Sequence, residues 1–150
     1  MKSAEKQLAE FIGRYTPEIV ARAKEVLAAM RRHLPPCIEL VYDNYNALVV
    51  GFGPTDCASD AVFSIVLYPR WVTLFFLHGA TLPDPSKVLK GSGKIVRHVV
   101  LDSAADLDKP AIRKLMDRAL AACEEPFPAE RQLVIKSISA RQRARRPIKK

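Results

Sequence analysis

The chain has 150 residues, 49% of them hydrophobic, and a formal net charge of +8 at pH 7. This length and apolar content predict a single folded domain with its own core, independent of disulfides or a structural metal. The three cysteines, Cys37, Cys57 and Cys123, are odd in number, which argues against a disulfide framework. They are far apart, which argues against a structural zinc site. The composition therefore favours a cytoplasmic protein.

The positive charge is concentrated at the C-terminus. The segment Arg131–Lys150 contains eight Lys or Arg and no acid, which leaves residues 1–130 with 16 basic and 16 acidic side chains. The high isoelectric point therefore describes the end of the chain and not the surface of the domain. We divide the chain into a domain, residues 1–139, and a basic tail, residues 140–150.

Neither a signal peptide nor a spanning helix is expected. The first residues, MKSAEKQLAE, are polar and helical in character. The segment Ala61–Ala80 is long and apolar, but Pro69-Arg70 interrupts it and its flanks are rich in Val, Ile, Phe and Trp. Two strands around a tight turn explain this pattern better than a membrane helix, and we expect no membrane partner.

Helical periodicity occurs at both ends of the domain. Apolar residues follow helical spacing over Ala4–Tyr15, and again from Pro17 to about His33, where Thr16 is the expected cap. The stretch Leu107–Pro110 predicts the start of a third helix, with its proline just inside. This helix should end before Pro126.

Between the helices the chain alternates short apolar runs with turn-forming pairs. Such pairs favour antiparallel hairpins over crossover connections. The order of elements predicts an α+β domain, with an antiparallel sheet of about five to six strands covered on one face by the N-terminal and C-terminal helices. The candidate strands are Ile38–Tyr42, Ala47–Phe52, Ala61–Tyr68, Trp71–Leu77, Ile95–Leu101 and Gln132–Ile138.

The run KVLKGSGKIVRHVVL places a Gly-Ser-Gly turn among basic residues. It is not a Walker loop, because Val88 stands where the first glycine is needed and Ile95 where the hydroxyl is needed. Its glycines could instead let backbone N–H groups line a small anion-binding concavity, or they could serve turn geometry alone. The anion-binding candidates here are Lys87, Lys90, Gly91, Ser92, Gly93, Lys94 and Arg97.

Six of the last ten residues are Arg or Lys. We expect an extended, mobile tail that attracts phosphates with an affinity that falls with salt. Because the tail has no aromatic residues, contact with nucleic acid would be sequence-tolerant. The alternatives are a solubilising role or docking on the domain's own acids. The candidate residues are Arg141, Arg143, Arg145 and Arg146.

No catalytic constellation is evident. The three histidines are scattered, there is no G-x-S-x-G elbow, and acidic neighbours would raise the pKa of Cys57. This favours a protein that is not an enzyme and that needs neither cofactor nor metal. If the outer face of the sheet is uncovered, aromatic and histidine side chains could line a shallow cleft. The cleft candidates are Tyr42, Tyr45, Trp71, His78 and His98.

The run HGATLPDPSKVLKGSGKIVRHVVL, with the later LVIKSISARQRARRP, resembles the YdhG-like family of small bacterial domains over most of Thr16–Pro147. The resemblance implies an intracellular α+β unit with a frataxin-like sandwich of helices on a sheet. It also implies an alternative function, an iron-binding chaperone that collects metal on an acidic helix face. However, the helix that ends near His33 offers only Glu18 and Glu25, mixed with four Lys or Arg.

Taken together, these features predict a non-enzymatic protein that binds an anionic partner, either a phosphate-containing ligand or nucleic acid. The binding residues would be those of Lys87–Arg97 and the arginines of the tail. A frataxin-like iron chaperone is the first alternative, and an enzyme with a cleft between the sheet and the helices is the second.

Overall fold

The computed structural model describes residues 2–148 as an α+β domain, which confirms the expected fold class. Three short 3-10 helices, Ala58–Asp60, Gly79–Thr81 and Ala104–Asp108, lie in the connections. The α-helices are α1 (Ala4–Ile12), α2 (Pro17–His33) and α3 (Pro110–Ala122), and the strands are β1 (Ile38–Asp43), β2 (Leu48–Gly53), β3 (Phe63–Leu67), β4 (Val72–Phe76), β5 (Arg97–Leu101) and β6 (Gln132–Ile138).

The first two helices begin at the residues that the sequence indicates. The Ser3 side chain accepts a hydrogen bond at the start of α1, and the Thr16 hydroxyl accepts one from the N–H of Ile19. The third helix begins at Pro110 as expected, but its cap residue, Lys109, makes no side-chain capping bond. Its start therefore depends on the proline and on packing.

The six strands form one sheet in the order β5-β4-β3-β2-β1-β6. Strands β1 to β4 form antiparallel hairpins, as the turn pairs predict, and β5 pairs antiparallel with β4. Strand β6 instead pairs parallel with β1, so the sheet is mixed. A parallel pairing needs a long crossover connection, and the segment containing α3 supplies it by returning the chain from the β5 edge to the β1 edge.

The two faces of the sheet differ in their environment. Side chains alternate along each strand, so Val50, Ile65 and Leu74 point to the face where all three α-helices pack, and they are fully buried there. On the outer face Val100 is exposed and Phe75 is half-buried. The helices therefore cover one face of the sheet, as expected.

The strand register defines two ends of the sheet. The tail end is the one from which the C-terminal tail emerges, after Ile138. The lysine end is the opposite one, where Arg97 pairs with Phe76 and where the Lys87–Lys94 turn precedes β5. Register partners at the tail end are Asp43 with Leu48, Leu48 with Leu67, Leu67 with Val72, Val72 with Leu101, and Asp43 with Ile138.

The apolar segment Ala61–Ala80 forms the β3–β4 hairpin, as the sequence predicts. The Tyr68 N–H donates to the Trp71 carbonyl at 2.9 Å and closes the Pro69-Arg70 turn. Among residues 2–148, no helix combines the length and apolar character that crossing a bilayer requires.

Candidate anion-binding groove

The tail, where the structure describes it, packs on the tail end of the sheet. The Ser139 N–H donates to the Asp43 carbonyl at 2.8 Å, and the Arg143 N–H donates to the Tyr45 carbonyl at 2.8 Å. The expectation of an extended tail is therefore wrong for residues 140–148. The alternative that the sequence left open, docking on the domain itself, describes them instead.

Arg145 anchors the docked tail. Its side chain is 4% exposed, and its Nη2 lies 3.0 Å from Oδ1 of Asp43, which is 1% exposed. A second guanidinium, that of Arg14, lies 3.2 Å from the same carboxylate. Because the charge of Arg145 is already paired inside the domain, this residue leaves the set of anion-binding candidates. Its role is to position the tail.

Tyr15 lies beneath this ion pair and joins the two hairpins of the tail end. Its hydroxyl donates to the Leu67 carbonyl at 2.8 Å and accepts from the Leu48 N–H at 3.1 Å. Burial raises the pKa of Tyr15, although the nearby Arg145 opposes the shift. The phenol is therefore neutral and makes two hydrogen bonds. It fixes the surface on which the tail docks.

The docked tail and the tip of the β3–β4 hairpin enclose an open groove of about 600 Å³. This volume is within the range of ~300–1,000 Å³ that is typical of small-molecule sites. Among the described residues that line it, three are arginines and none is acidic. We name it the arginine–tryptophan groove after its charged and aromatic members, Tyr68, Arg70, Trp71, Arg143 and Arg146.

Aromatic rings line the groove and occur at the neighbouring hairpin tip. Trp71 is 46% exposed, and its ring centroid is 6.0 Å from that of Tyr68. At the neighbouring hairpin tip, the Arg143 guanidinium lies 5.5 Å from the centroid of the Tyr45 ring. The structure thus brings together two sets of residues that the sequence analysis treats as separate sites, the tail arginines and part of the aromatic cleft.

Arg141, Arg143 and Arg146 are exposed, and Arg70 adds a further exposed cation. The Arg146 Nε donates to the Arg14 carbonyl at 3.2 Å, which holds its side chain beside the groove. Arg70 and Tyr68 are absent from the sequence-based candidates. Arg70 is visible in the sequence only as part of a turn, and its proximity to the tail depends on the strand order.

The Lys87–Lys94 turn does direct backbone N–H groups at an anion, but the anion is the protein's own. The N–H groups of Val88 and Leu89 donate to the two carboxylate oxygens of Asp84 at 3.0 and 2.9 Å. Positive φ angles at Lys87 (53°) and Gly91 (114°) turn the chain on either side. The N–H groups that bind an anion therefore lie before the glycines, and anion binding by Gly91–Gly93 stays a prediction.

One basic side chain of this turn bonds to the protein itself, whereas the lysines are exposed to solvent. Arg97 Nη1 donates to the carbonyl oxygens of Val96 and Gly93, so this guanidinium stabilises the turn. The exposed members are Lys87, Lys90, Ser92 and Lys94. Because the turn lies at the lysine end and beside the β5 edge, the two predicted sets of anion-binding residues do not come together.

The remaining cleft candidates lie apart from the groove. His98 is on the outer face, where its ring centroid is 5.4 Å from that of Phe75. Tyr42 is also on this face. Its pKa is raised mainly by burial and, to a lesser extent, by the nearby Cys57. His78 belongs to neither group. The cleft candidates are therefore spread over several places, and Tyr45 and Trp71 are the ones that lie near the tail arginines.

His78 lines a second cavity, of about 450 Å³, near the end of α3. Asp60, Glu124 and Glu125 are among its other lining residues, so its charge disfavours an anionic partner. Among residues 2–148, no group of three or more His, Cys, Asp or Glu is arranged to hold a metal ion.

Comparison with known proteins finds no family model, curated protein or solved structure that matches the chain. The resemblance to the YdhG-like family, and the frataxin-like function that it implies, therefore stay predictions.

Proposed function

We propose that this protein is a non-enzymatic binding protein whose partner is an anion that carries phosphate groups, bound in the arginine–tryptophan groove. One observation supports this most directly. The exposed side chains of Arg70, Arg143 and Arg146 line one groove, and no acidic residue is among its described lining residues.

The neighbouring carboxylate does not cancel this charge. Asp43 lies close to the tail but is buried, and the guanidinium groups of Arg145 and Arg14 already pair with it. Two cations therefore neutralise one anion, and the groove arginines keep their full charge for a ligand. A guanidinium presents a planar fork of N–H donors that matches the oxygens of a phosphate, so three of them favour a ligand with several phosphates.

Point substitutions test this proposal better than removal of the tail. A chain that ends at Ser139 would lose Arg145 and leave Asp43 with Arg14 as its remaining described arginine partner. Such a chain could fail to fold for reasons unrelated to binding. Replacing exposed arginines by glutamine removes charge and keeps most of the side-chain volume.

The test measures the affinity of the full chain for polyphosphate and for a short labelled oligothymidylate by competition. The combined variant Arg70→Gln, Arg143→Gln and Arg146→Gln should lose at least tenfold in affinity for both. Arg32→Gln is the matched control, because Arg32 is exposed at the far end of α2. The control should bind like the unaltered chain.

A second variant tests the other predicted set of anion-binding residues. Replacing Lys87, Lys90 and Lys94 together by Gln removes the exposed charge of the lysine end and should change affinity less than twofold. If this variant loses binding and the groove variant keeps it, the groove is not the site. If the unaltered chain binds neither polyphosphate nor oligothymidylate, the proposed function is wrong.

A further inference from the structure

The groove contains an exposed aromatic surface that binding of phosphate alone does not use. Trp71, 46% exposed, is the chain's single tryptophan and lies at the tip of a hairpin, where packing does not require a large ring. Its neighbour Tyr68 is half-buried, and the two ring planes meet at 51°. This arrangement covers part of the indole and leaves the rest available to a ligand.

Arginines line the same groove as this ring. Arg70 precedes Trp71 directly in the sequence, and Arg143 and Arg146 line the same groove from the tail. Flat aromatic side chains interleaved with cations are the arrangement by which proteins bind single-stranded nucleic acid, since bases stack on the rings while the cations contact the backbone phosphates.

We propose that the groove binds single-stranded nucleic acid, with a base stacked on the indole of Trp71 and adjoining phosphates held by Arg70, Arg143 and Arg146. This inference rests on the proposed function and specifies its ligand. A duplex hides the faces of its bases, and polyphosphate has none, so both should bind more weakly than a single strand of similar charge. Because every base has an aromatic face, binding should tolerate changes of sequence.

Trp71 also reports on the proposed contact. Because it is the chain's only tryptophan, its fluorescence arises from the groove without interference from another indole. Stacking of a base on the indole should quench this fluorescence. Titration of the full chain with oligothymidylate and with oligouridylate should therefore quench in proportion to binding, whereas polyphosphate should bind without comparable quenching.

Two substitutions separate stacking from charge. Trp71→Ala should weaken binding of oligothymidylate about tenfold, in line with the effect of removing one stacking ring. Trp71→Phe keeps an aromatic face and should restore most of the loss. Because Trp71 is about half exposed and lies at a hairpin tip, both variants should fold normally, and circular dichroism checks this. Trp71→Ala should weaken the binding of polyphosphate less than it weakens the binding of oligothymidylate.

The outcomes distinguish this inference from the function on which it rests. Single-strand binding that is quenched, and that Trp71→Ala weakens selectively, supports base stacking. If oligothymidylate, duplex DNA and polyphosphate bind equally and Trp71→Ala changes nothing, stacking is overturned and anion binding stands. If none of the three probes binds, the proposed function fails as well.

Discussion

The Arg145 guanidinium and the Asp43 carboxylate form an ion pair of 3.0 Å between side chains that are 4% and 1% exposed. They are 102 positions apart in the sequence, and their contact fixes the basic tail to the end of β1. Replacing Arg145 by Met should destabilise the protein by about 3–5 kcal/mol, because a buried carboxylate then loses a principal partner. Chemical denaturation measures this loss.

Arg141→Gln is the control for this prediction, since Arg141 belongs to the same tail but is exposed. Its free energy of unfolding should stay within about 0.5 kcal/mol of the original. If Arg145→Met were equally harmless, the tail would not be anchored as described, and the groove that it helps to form would lose its basis.

Tyr15 provides a second stability test, of the surface on which the tail docks. Tyr15→Phe removes the hydroxyl that bonds to the Leu67 carbonyl and the Leu48 N–H. We expect a destabilisation of about 1–3 kcal/mol, because both backbone groups are buried and lose this partner. Tyr45→Phe, at an exposed position, should have little effect on the thermal midpoint. Equal midpoints for the two variants would contradict the assigned role of Tyr15.

The contact between Gly79 and Arg97 predicts a steric effect at the lysine end. A Cβ on Gly79 would lie 2.6 Å from the Cβ of Arg97, so Gly79→Ala must displace either β5 or the Gly79–Thr81 turn. The cost should be about 1–3 kcal/mol. Gly93→Ala is the matched change, since a Cβ there would lie 3.9 Å from the Val96 carbonyl oxygen, its nearest described neighbour. A stable Gly79→Ala variant would contradict the close packing of Arg97.

Cys37 should make the fold sensitive to alkali. Its burial, with a smaller effect of Glu39, raises the pKa of the thiol from 9.0 to about 12. The folded state thus keeps a proton that the unfolded state releases, so stability falls as pH rises from 9.0 towards about 12. Cys37→Ala should lose less stability across this range, as urea midpoints at about pH 8 and about pH 10.5 would show. An equal loss in both proteins would contradict the assignment.

The sequence predicts local elements well because their causes are local. Thr16 followed by Pro17 is enough to start α2, and Pro69-Arg70 is enough to divide an apolar run into two strands. The parallel pairing of β6 with β1 has no such local cause. It depends on which sheet edge the chain reaches after α3.

The candidate site could be predicted only in part for the same reason. The tail arginines and Trp71 are recognisable from composition, but their proximity depends on the Asp43–Arg145 pair and on the order of the hairpins. The glycine turn shows the converse limit. The N–H groups that bind an anion there are those of Val88 and Leu89, and their partner is Asp84, three residues before Lys87, which nothing in the glycine pattern indicates.

If the three groove arginines hold a phosphate-bearing ligand, binding of oligothymidylate by the full chain must depend on salt. Three phosphates held by Arg70, Arg143 and Arg146 should give a slope of about −2 for log affinity against log salt. The Arg143→Gln variant should reduce that slope by about 0.7. A slope near zero, or one that Arg143→Gln leaves unchanged, would contradict the claim.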